Sequence, residues 1–440
     1  MNKEIKLAYP SEGANDSPGG QRVAVDAGAA WRADTRRATG GDERMTAVCL
    51  CFQVHQPRRL RRYPVFAIGR ERNYEDEAGN RKILDKVVDK CYLPANDLLL
   101  SLIDRHGGKF RLSFSITGVL LDELERFHPE VIASFQALAG TGCVEFLNET
   151  YHHSLAFLYS DEEFRGQVDR HRRRITELFG QEGETFRTTE LIYNDALAAA
   201  AAEMEYRAIL AEGAAAVLGP RDPNRVYEAA GGGGIRVLPR NYRLSDDISF
   251  RFSRRGWEGY PLTAAKYARW LHRLHGPETV INLFMDYETW GEHQWRETGI
   301  FSFLEALPGA ILAGADFVFV TPREAAARKP AGVLSVPGFC SWADTERDLT
   351  AWRGNAMQRD ALEALYGLEE AVTAKGDRDL AEQWRQLQTS DHFYYMCTKW
   401  CADGDVHRYF NPYPSPYDAY INYMNILDDF SRRVGKEKGS

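Results

Sequence analysis

The feature that most constrains the fold is an alternation of apolar runs and amphipathic stretches, which begins at Thr46. Six apolar runs have the length of buried strands: Ala47–Val54, Phe110–Ile116, Cys143–Leu147, Ile209–Leu218 (equally compatible with a helix), Thr279–Met285 and Asp316–Val320. Helical periodicity fills the intervals over Leu120–Leu138, Asp161–Leu178, Pro261–Leu274 and Phe301–Leu312. Strands that alternate with helices over about 280 residues predict an α/β fold with a parallel sheet, and a barrel is one solution of that size.

The two ends of the chain differ from this alternating part. Residues 1–44 are rich in Gly, Ala, Ser, Asp and Arg and have no sustained periodicity, which predicts a disordered extension rather than a signal peptide. After Pro322 the helical periodicity continues without strands, over Leu349–Ala374, Asp379–Gln388 and Tyr417–Arg433. We therefore expect an N-terminal extension (1–44), an α/β domain (45–328) and a C-terminal helical domain (329–440).

Composition excludes several classes of protein. The 440 residues carry 55 basic and 63 acidic side chains, a net charge of −8, which argues against a nucleic-acid binder. No apolar run reaches the roughly 18–20 residues of a membrane-spanning helix. The seven cysteines are odd in number, and the pair Cys397 and Cys401 lacks the further ligands of a zinc site. These observations predict a cytoplasmic protein without a membrane segment.

Polar clusters follow four extended segments of the α/β part. They are His55–Pro57, Asn148–His153, Arg187–Glu190 and Asp286–His293. Because the carboxyl ends of parallel strands meet at one edge, we expect the four clusters to converge. Carboxylates dominate them, and no serine or cysteine lies in a nucleophile elbow.

This inventory allows two kinds of chemistry. Two carboxyl groups can hydrolyse a glycoside, one by attacking the anomeric carbon and the other by protonating the leaving oxygen. The same Asp, Glu and His residues can instead bind a divalent metal ion. Phe, Trp and Tyr make up 12% of the chain, and aromatic faces pack well on sugar rings.

Five segments, in order, resemble successive signature regions of glycoside hydrolase family 57, most closely its α-amylase-like subgroup. They are Phe52–Pro57, Glu145–Ser154, Thr189–Asn194, Phe284–His293 and Ser341–Leu349, and Ser390–Tyr395 continues the likeness. The resemblance extends over about residues 46–430. Gln53 departs from it, since many family members have a histidine there, and this changes a sugar contact without affecting the mechanism.

The resemblance implies an incomplete (β/α)7 barrel followed by a C-terminal helical bundle that contributes to the active-site cleft. It also implies a retaining glycoside hydrolase that acts on α-1,4-glucans (starch, glycogen and maltodextrins) through a glycosyl-enzyme intermediate. By motif position Glu190 matches the nucleophile and Asp286 the general acid/base. The family needs no metal or other cofactor for catalysis.

Five further residues are candidates for substrate binding: His55, His153, Trp290, Trp342 and Asp348. We expect Glu288 and Glu292 to orient their neighbours rather than to react.

A 4-α-glucanotransferase or a branching enzyme would use the same two carboxyl groups, and residue types alone do not separate these activities from hydrolysis. A metal-dependent carbohydrate deacetylase, a mannosidase-like barrel and a non-catalytic glucan-binding protein are the alternatives from other classes. The sequence gives no indication of the oligomeric state.

Overall fold

The computed structural model describes residues 45–399 and 411–435. The predicted extension, residues 1–44, and Cys401 lie outside these ranges. The strands are β1 Thr46–Val54, β2 Leu112–Ile116, β3 Val144–Phe146, β4 Thr185–Phe186, β5 Ala208–Glu212, β6 Tyr227–Ala229, β7 Arg236–Arg240, β8 Val280–Asp286, β9 Trp290–Gly291, β10 Gln294–Trp295, β11 Phe317–Phe319 and β12 Val333–Leu334.

The α-helices lie mostly between these strands in the first part of the chain and follow one another in the last part. They are α1 Glu77–Val87, α2 Leu93–Arg105, α3 Gly118–Phe127, α4 Pro129–Gly140, α5 Asp161–Phe179, α6 Asp195–Glu203, α7 Ala215–Leu218, α8 Tyr242–Ser249, α9 Ala264–His272, α10 Ile300–Leu312, α11 Pro322–Ala326, α12 Thr350–Arg353, α13 Ala356–Tyr366, α14 Glu369–Lys375, α15 Arg378–Gln386, α16 Ser390–Tyr394 and α17 Pro416–Val434.

Ten of these strands form one sheet that is mainly parallel, which confirms the predicted α/β class. β1 pairs with β8, β2 and β11, and the main path of the sheet runs β12-β6-β7-β8-β1-β2-β3. β5 lies beside both β7 and β4, and a parallel bridge between Asn148 and Phe186 joins the end of β3 to β4. Of the pairings described in this sheet, β6 with β7 is antiparallel.

The central strand β1 is buried along its whole length, as expected for a parallel strand with both faces covered. Val48, Leu50 and Phe52 belong to one hydrophobic cluster, and the alternating Cys49 and Cys51 belong to another. Both cysteines are completely buried in this strand.

The register of the pairing brings the polar strand ends to one level. Gln53 of β1 lies opposite Asp286 of β8, and Val54 lies opposite Ile116 of β2. His55 and Asp286 therefore emerge at the same edge of the sheet, where the sequence predicted that polar clusters would meet.

Helices α12 to α17 follow one another without an intervening strand in the part of the chain that the structure describes. Their apolar faces join a cluster that also includes side chains of α5, α6, β5 and β7. Asp429 of α17 accepts a hydrogen bond from the Tyr74 hydroxyl (2.6 Å), and the Asn422 amide oxygen accepts one from the Tyr63 backbone N–H (2.6 Å). The domain boundary at 328/329 stays a prediction.

Three predicted elements were wrong in extent. Leu120–Leu138 is two helices, because Pro129 disfavours helical geometry at His128. Leu349–Ala374 is three helices, α12 to α14, interrupted near two glycines. Ile209–Leu218 is a strand that ends at Glu212 and is followed by the short helix α7. Within the described residues, we find no helix that is both long enough and apolar enough to cross a membrane.

Candidate active site

A cavity of about 630 Å³ opens at the edge of the sheet where β1 and β8 end. His55, Glu190 and Asp286 line it, so three of the four predicted polar clusters reach one space. The C-terminal part of the chain closes another side with the aromatic residues Trp342, Trp352, Tyr394 and Tyr395 and with the carboxyl group of Asp391. The fourth cluster, Asn148–His153, lies behind Glu190.

Glu190 is held in an unusual backbone conformation on a short 3-10 turn, Thr189–Leu191. Its φ of 59° and ψ of 26° lie in the left-handed region, which costs a residue other than glycine about 1–3 kcal/mol. Both carboxylate oxygens are hydrogen-bonded: Oε1 to Nε2 of His153 (2.7 Å) and Oε2 to the indole N–H of Trp342 (2.7 Å). Two bonds from different parts of the chain therefore fix the carboxylate in direction.

Behind Glu190 lies a fully buried group of charged side chains. Nδ1 of His153 is 3.1 Å from Oε2 of Glu149, and the Arg187 guanidinium donates to the same oxygen at 3.1 Å. The other oxygen of Glu149 accepts from the Ser115 hydroxyl (2.6 Å). Burial opposes ionisation of Glu149, but the charge of Arg187 and the bond from His153 outweigh it and hold the pKa of Glu149 at about 2.

The same contacts set the ionisation of Glu190 and His153. Burial raises the pKa of Glu190, but the hydrogen bond and charge of His153 and the charge of Arg187 outweigh it, and the net shift is downward. Burial lowers the pKa of His153, but its bonds to Glu149 and Glu190 reverse the sign and raise it to about 9. Glu190 is therefore ionised at neutral pH, and His153 is an imidazolium.

Asp286, at the end of β8, has the opposite environment. Burial raises its pKa, the negative charge of Glu190 raises it further, and the result is about 7. Glu288 also faces the cavity, and burial together with the charge of Asp286 raises its pKa to about 8. Its Oε1 accepts hydrogen bonds from the Tyr92 hydroxyl and from the backbone N–H of His55. That Glu288 orients its neighbours rather than reacts stays a prediction.

His55 connects the sheet edge to the C-terminal helices, because its two ring nitrogens contact residues from each. Its Nδ1 is 3.0 Å from the Thr117 hydroxyl, and its Nε2 is 3.0 Å from Oδ2 of Asp391 in α16. Its ring stacks on that of His153, with the centroids 4.1 Å apart. Burial and the positive charge of His153 lower the pKa of His55, so the ring is neutral and presents polar atoms at the cavity.

Trp342 lines the cavity, and two arginine side chains contact it. The Arg347 guanidinium donates to the Trp342 carbonyl, and the Arg240 guanidinium lies 5.5 Å from the centroid of the indole ring. Both arginines also pair with Glu212, at 3.2 Å and 3.3 Å, and that carboxylate is fully buried. Arg240 therefore lies over the face of the indole, and Glu190 holds the edge that carries its N–H group.

Two of the candidates for substrate binding lie away from the cavity. Trp290 is completely buried and packs against Phe52 and Phe303 in the core. Asp348 is not among the residues that line the cavity, and its carboxylate accepts a hydrogen bond from the Thr350 backbone N–H (2.8 Å) at the start of α12. His153 is also fully buried and contacts Glu190 instead of the open space. These positions correct the expectation that all three contact substrate.

Several residues of the site were not among the candidates. Asp391 lies in Ser390–Tyr395, a segment that resembles the family, and Glu149 lies in the predicted polar cluster Asn148–His153. The sequence therefore pointed to both regions. Arg347 lies in the Ser341–Leu349 segment and carried the same sequence signal, whereas Glu212 and Arg240 carried none, because Glu212 pairs with residues 28 and 135 positions away.

One set of side chains in the described residues has the spacing of metal ligands: His55, His153 and Asp391, whose ligand atoms lie within 4.8 Å of one another. Both ring nitrogens of His153 are hydrogen-bonded to carboxylates, which leaves no nitrogen lone pair for a metal ion. His55 is likewise bonded at both nitrogens. The donor set therefore does not fit a metal centre in this arrangement.

Comparison with known sequences assigns the family. Residues 49–337 match the model of glycosyl hydrolase family 57. The chain belongs to that family. It is 43% identical over 396 residues to a protein of Methanocaldococcus jannaschii named "Putative alpha-amylase", with 86% of this chain and 83% of that protein covered. The chain is therefore an α-amylase-like member of family 57 and a glycoside hydrolase, as the motifs predicted.

Solved structures show the same fold at low sequence identity. A 4-alpha-glucanotransferase from Thermococcus litoralis superposes with a TM-score of 0.64 at 14% identity, covering 88% of this chain and 60% of the transferase. A branching enzyme of the family from Pyrococcus horikoshii superposes with a TM-score of 0.60 at 14% identity, covering 87% and 88% of the two chains. The chain thus spans 60% of the glucanotransferase, which is less than two thirds, and most of the branching enzyme.

Proposed function

We propose that this protein is a retaining glycosidase that acts on α-1,4-glucans through a glycosyl-enzyme intermediate. Glu190 attacks the anomeric carbon while Asp286 protonates the leaving glycosidic oxygen, which releases the leaving chain. Asp286, now ionised, then removes a proton from water, and the hydroxide formed displaces Glu190 from the sugar.

The observation that carries this proposal is the contrast between two carboxyl groups that line the same cavity. Hydrogen bonds and nearby positive charge lower the pKa of Glu190, whereas burial and the charge of Glu190 raise the pKa of Asp286 to about 7. Pairs of carboxyl groups whose environments separate their pKa values are typical of glycosidases, where one must be ionised and the other protonated. A retaining mechanism further requires the two carboxyl groups to lie about 5–5.5 Å apart.

We propose that His55 and Trp342 bind the sugar beside Glu190. His55 lines the cavity with a neutral ring that can pack against a sugar, and Trp342 presents part of its indole ring there. We add Asp391, whose carboxylate lines the cavity and is bonded to His55.

The direct test is incubation with maltoheptaose and with glycogen, followed by chromatography of the products. Shorter maltodextrins without longer ones are expected from a hydrolase. ¹H NMR of the first products should show the α-anomer before mutarotation, since two displacements at the anomeric carbon restore its configuration. A first product in the β-configuration would contradict the retaining mechanism.

The alternatives with the same two carboxyl groups are a 4-α-glucanotransferase and a branching enzyme, and proteins bearing both names share this fold. They differ in the acceptor, which is a sugar hydroxyl instead of water. A ladder of products longer than maltoheptaose would identify a glucanotransferase, and new α-1,6 linkages would identify a branching enzyme.

A metal-dependent deacetylase or mannosidase-like activity is the alternative from another class, and the spacing of His55, His153 and Asp391 is the observation in its favour. The double hydrogen bonding of His153 argues against it. Glucan turnover that is unaffected by prolonged dialysis against a chelator is the expected result, and its loss with recovery on adding Zn²⁺ would favour the alternative.

We further propose that the parallel sheet is the incomplete (β/α)7 barrel of the family, within residues 45–328, and that residues 329–440 form its C-terminal helical domain. The bridge from Asn148 to Phe186 supports this arrangement, because it links β3 to β4 beside the main path of the sheet. We place the protein in the cytoplasm, and the six described cysteines, all buried and unpaired, support that proposal.

A further inference from the structure

The buried residues behind the nucleophile form a continuous chain of charged contacts. Arg187 donates to Glu149 (3.1 Å), Glu149 contacts Nδ1 of His153 (3.1 Å), and Nε2 of His153 contacts Glu190 (2.7 Å). Arg187, Glu149 and His153 are completely buried, and none of the three lines the cavity. Substrate therefore meets the end of this chain at Glu190 and does not touch the rest.

Charge balance explains why these four contacting side chains are two glutamates, an arginine and a histidine. A carboxylate out of contact with water is costly unless a positive group is paired with it. Here the carboxylates of Glu149 and Glu190 contact the two nitrogens of the same imidazole ring, that of His153. With His153 protonated, its charge and that of Arg187 balance those of the two glutamates. A neutral imidazole would carry one ring proton, and one of the two carboxylates would then face a nitrogen lone pair.

We propose that Glu149 and His153 form a positioning pair, in which the Glu149 carboxylate keeps His153 in its doubly protonated form and His153 in turn keeps Glu190 ionised and directed at the cavity. Glu149 is thus a positioning residue that acts on the nucleophile through His153, and His153 is not a sugar ligand. The inference rests on the proposed function in taking Glu190 as the nucleophile.

The other groups that face His153 favour the same state or leave it unchanged. The neutral ring of His55 stacks on it, and Asp391 holds that ring from the far side. Arg187 opposes the charge on His153, but its guanidinium is bonded to Glu149. Burial and the charge of Glu190 raise the pKa of Asp286 to about 7, so near neutral pH it carries part of a negative charge, which favours the same protonated state of His153.

The first experiment reads the charge of His153 without any substrate. The full-length protein is labelled with ¹⁵N-histidine, and the signals of His153 are assigned by their absence in His153→Gln. At pH 7.5 we expect both ring nitrogens of His153 to be protonated in the wild type and the ring to be neutral in Glu149→Gln. A neutral His153 in the wild type would overturn the proposal even if the Glu149 variant does not fold.

The second experiment measures kcat/KM on maltoheptaose against pH. Removing a neighbouring positive charge raises the pKa of a carboxyl group by about 1 unit or more, so the acidic limb of Glu149→Gln should move up by about one pH unit. Glu149→Asp keeps the charge and should restore most of the wild-type profile. An unchanged acidic limb in Glu149→Gln would overturn the proposal, because a merely structural role lowers activity without moving that limb.

Two matched controls separate the effect from loss of packing. Ser115→Ala removes the hydrogen bond to the other oxygen of Glu149 and leaves every charge in place. Glu163→Gln removes a buried carboxylate that pairs with Arg385, away from the cavity. Both variants should keep His153 protonated and the acidic limb in place, and a shift in either equal to that of Glu149→Gln would overturn the assignment. If the wild type does not turn over maltoheptaose, the proposed function fails while the NMR experiment still decides on the pair.

Discussion

Glu190 and Asp286 line the same cavity, and the charges of Arg187 and His153 act on both, but the balance of burial, charge and hydrogen bonding differs between them. Glu190 accepts hydrogen bonds at both oxygens, and the positive charges of His153 and Arg187 lie close behind it. Among the residues that the structure describes, no side chain donates a hydrogen bond to the Asp286 carboxyl group, and its carboxyl neighbours are Glu190 and Glu288. One side of the cavity favours a carboxylate, and the other favours a carboxylic acid.

This contrast shows that the residues behind the cavity, rather than the two reactive carboxyl groups themselves, assign the roles. Both groups are carboxylic acids with similar pKa values in water, so only their surroundings can make one the nucleophile and the other the acid. The predictions below remove parts of each environment, beginning with the largest expected effect.

Glu190→Gln should reduce kcat by more than about a thousandfold, or about 4 kcal/mol, because an amide does not form the glycosyl-enzyme bond. Steady-state kinetics on maltoheptaose measures the loss, and calorimetric titration with a maltodextrin should show that binding is retained. Trp342 can still donate to the amide oxygen, so the fold is expected to stay intact. Retention of more than about a tenth of the wild-type kcat would contradict the role of Glu190.

Asp286→Ala should reduce kcat/KM strongly and remove the alkaline limb of the pH–rate profile. In the wild type that limb should lie near pH 7, where Asp286 loses its proton. Azide should restore part of the activity, since it is a nucleophile that needs no general base to attack the glycosyl-enzyme. Glu292→Gln is the matched control, because Glu292 follows the same strand but pairs with Lys86. An alkaline limb that survives in Asp286→Ala would assign it to another group.

The motifs predicted the two carboxyl groups, His55 and Trp342 at the cavity, because each follows a strand end or a segment with a recognisable pattern. The sequence did not separate Trp342 from Trp290, although both stand in motifs. The difference arises from packing: Trp290 fills a gap between Phe52 and Phe303, and only the folded core reveals that gap. The motif that contains His153 likewise does not reveal that its side chain contacts Glu190 instead of substrate.

The fold shows a similar limit. Long apolar runs such as β1 and β8 were predicted within a residue or two, since burial on both faces leaves a continuous signal. Strands β6, β7 and β12 were not predicted, and β4 was expected only as an extended segment without bounds before Arg187; these four strands have two to five residues. Their conformation depends on pairing with strands that are distant in sequence, which local composition does not encode.

Trp342→Phe should lower kcat/KM by about ten- to a hundredfold, because a hydrogen bond to a charged group contributes roughly 1.5–3 kcal/mol. The ring and its contact with Phe284 remain, but the N–H that bonds Glu190 is lost. The acidic limb should move to higher pH for the same reason. Trp352→Phe is the control, since Trp352 also lines the cavity without a hydrogen bond to Glu190. Equal losses in both variants would mean that ring shape, and not the N–H group, is what matters.

The smallest effect is expected on stability, from Glu288→Gln on the acidic side of the cavity. The folded protein keeps the Glu288 proton up to a pKa of about 8, whereas the unfolded chain releases it near 4.5. Between these values the folded state binds more protons, so the contribution of Glu288 to stability falls as the pH rises. Glutamine keeps the acceptor oxygen for Tyr92 without the ionisation. The melting temperature of Glu288→Gln should exceed that of the wild type by about 2 °C at pH 8, and the difference should vanish near pH 4.5.

The control is Glu163→Gln, which removes a paired carboxylate and should instead melt lower than the wild type at pH 8. A Glu288→Gln protein that melts below the wild type at pH 8 would show that Glu288 is stabilised as a carboxylate, and the two sides of the cavity would then be more alike than their surroundings indicate.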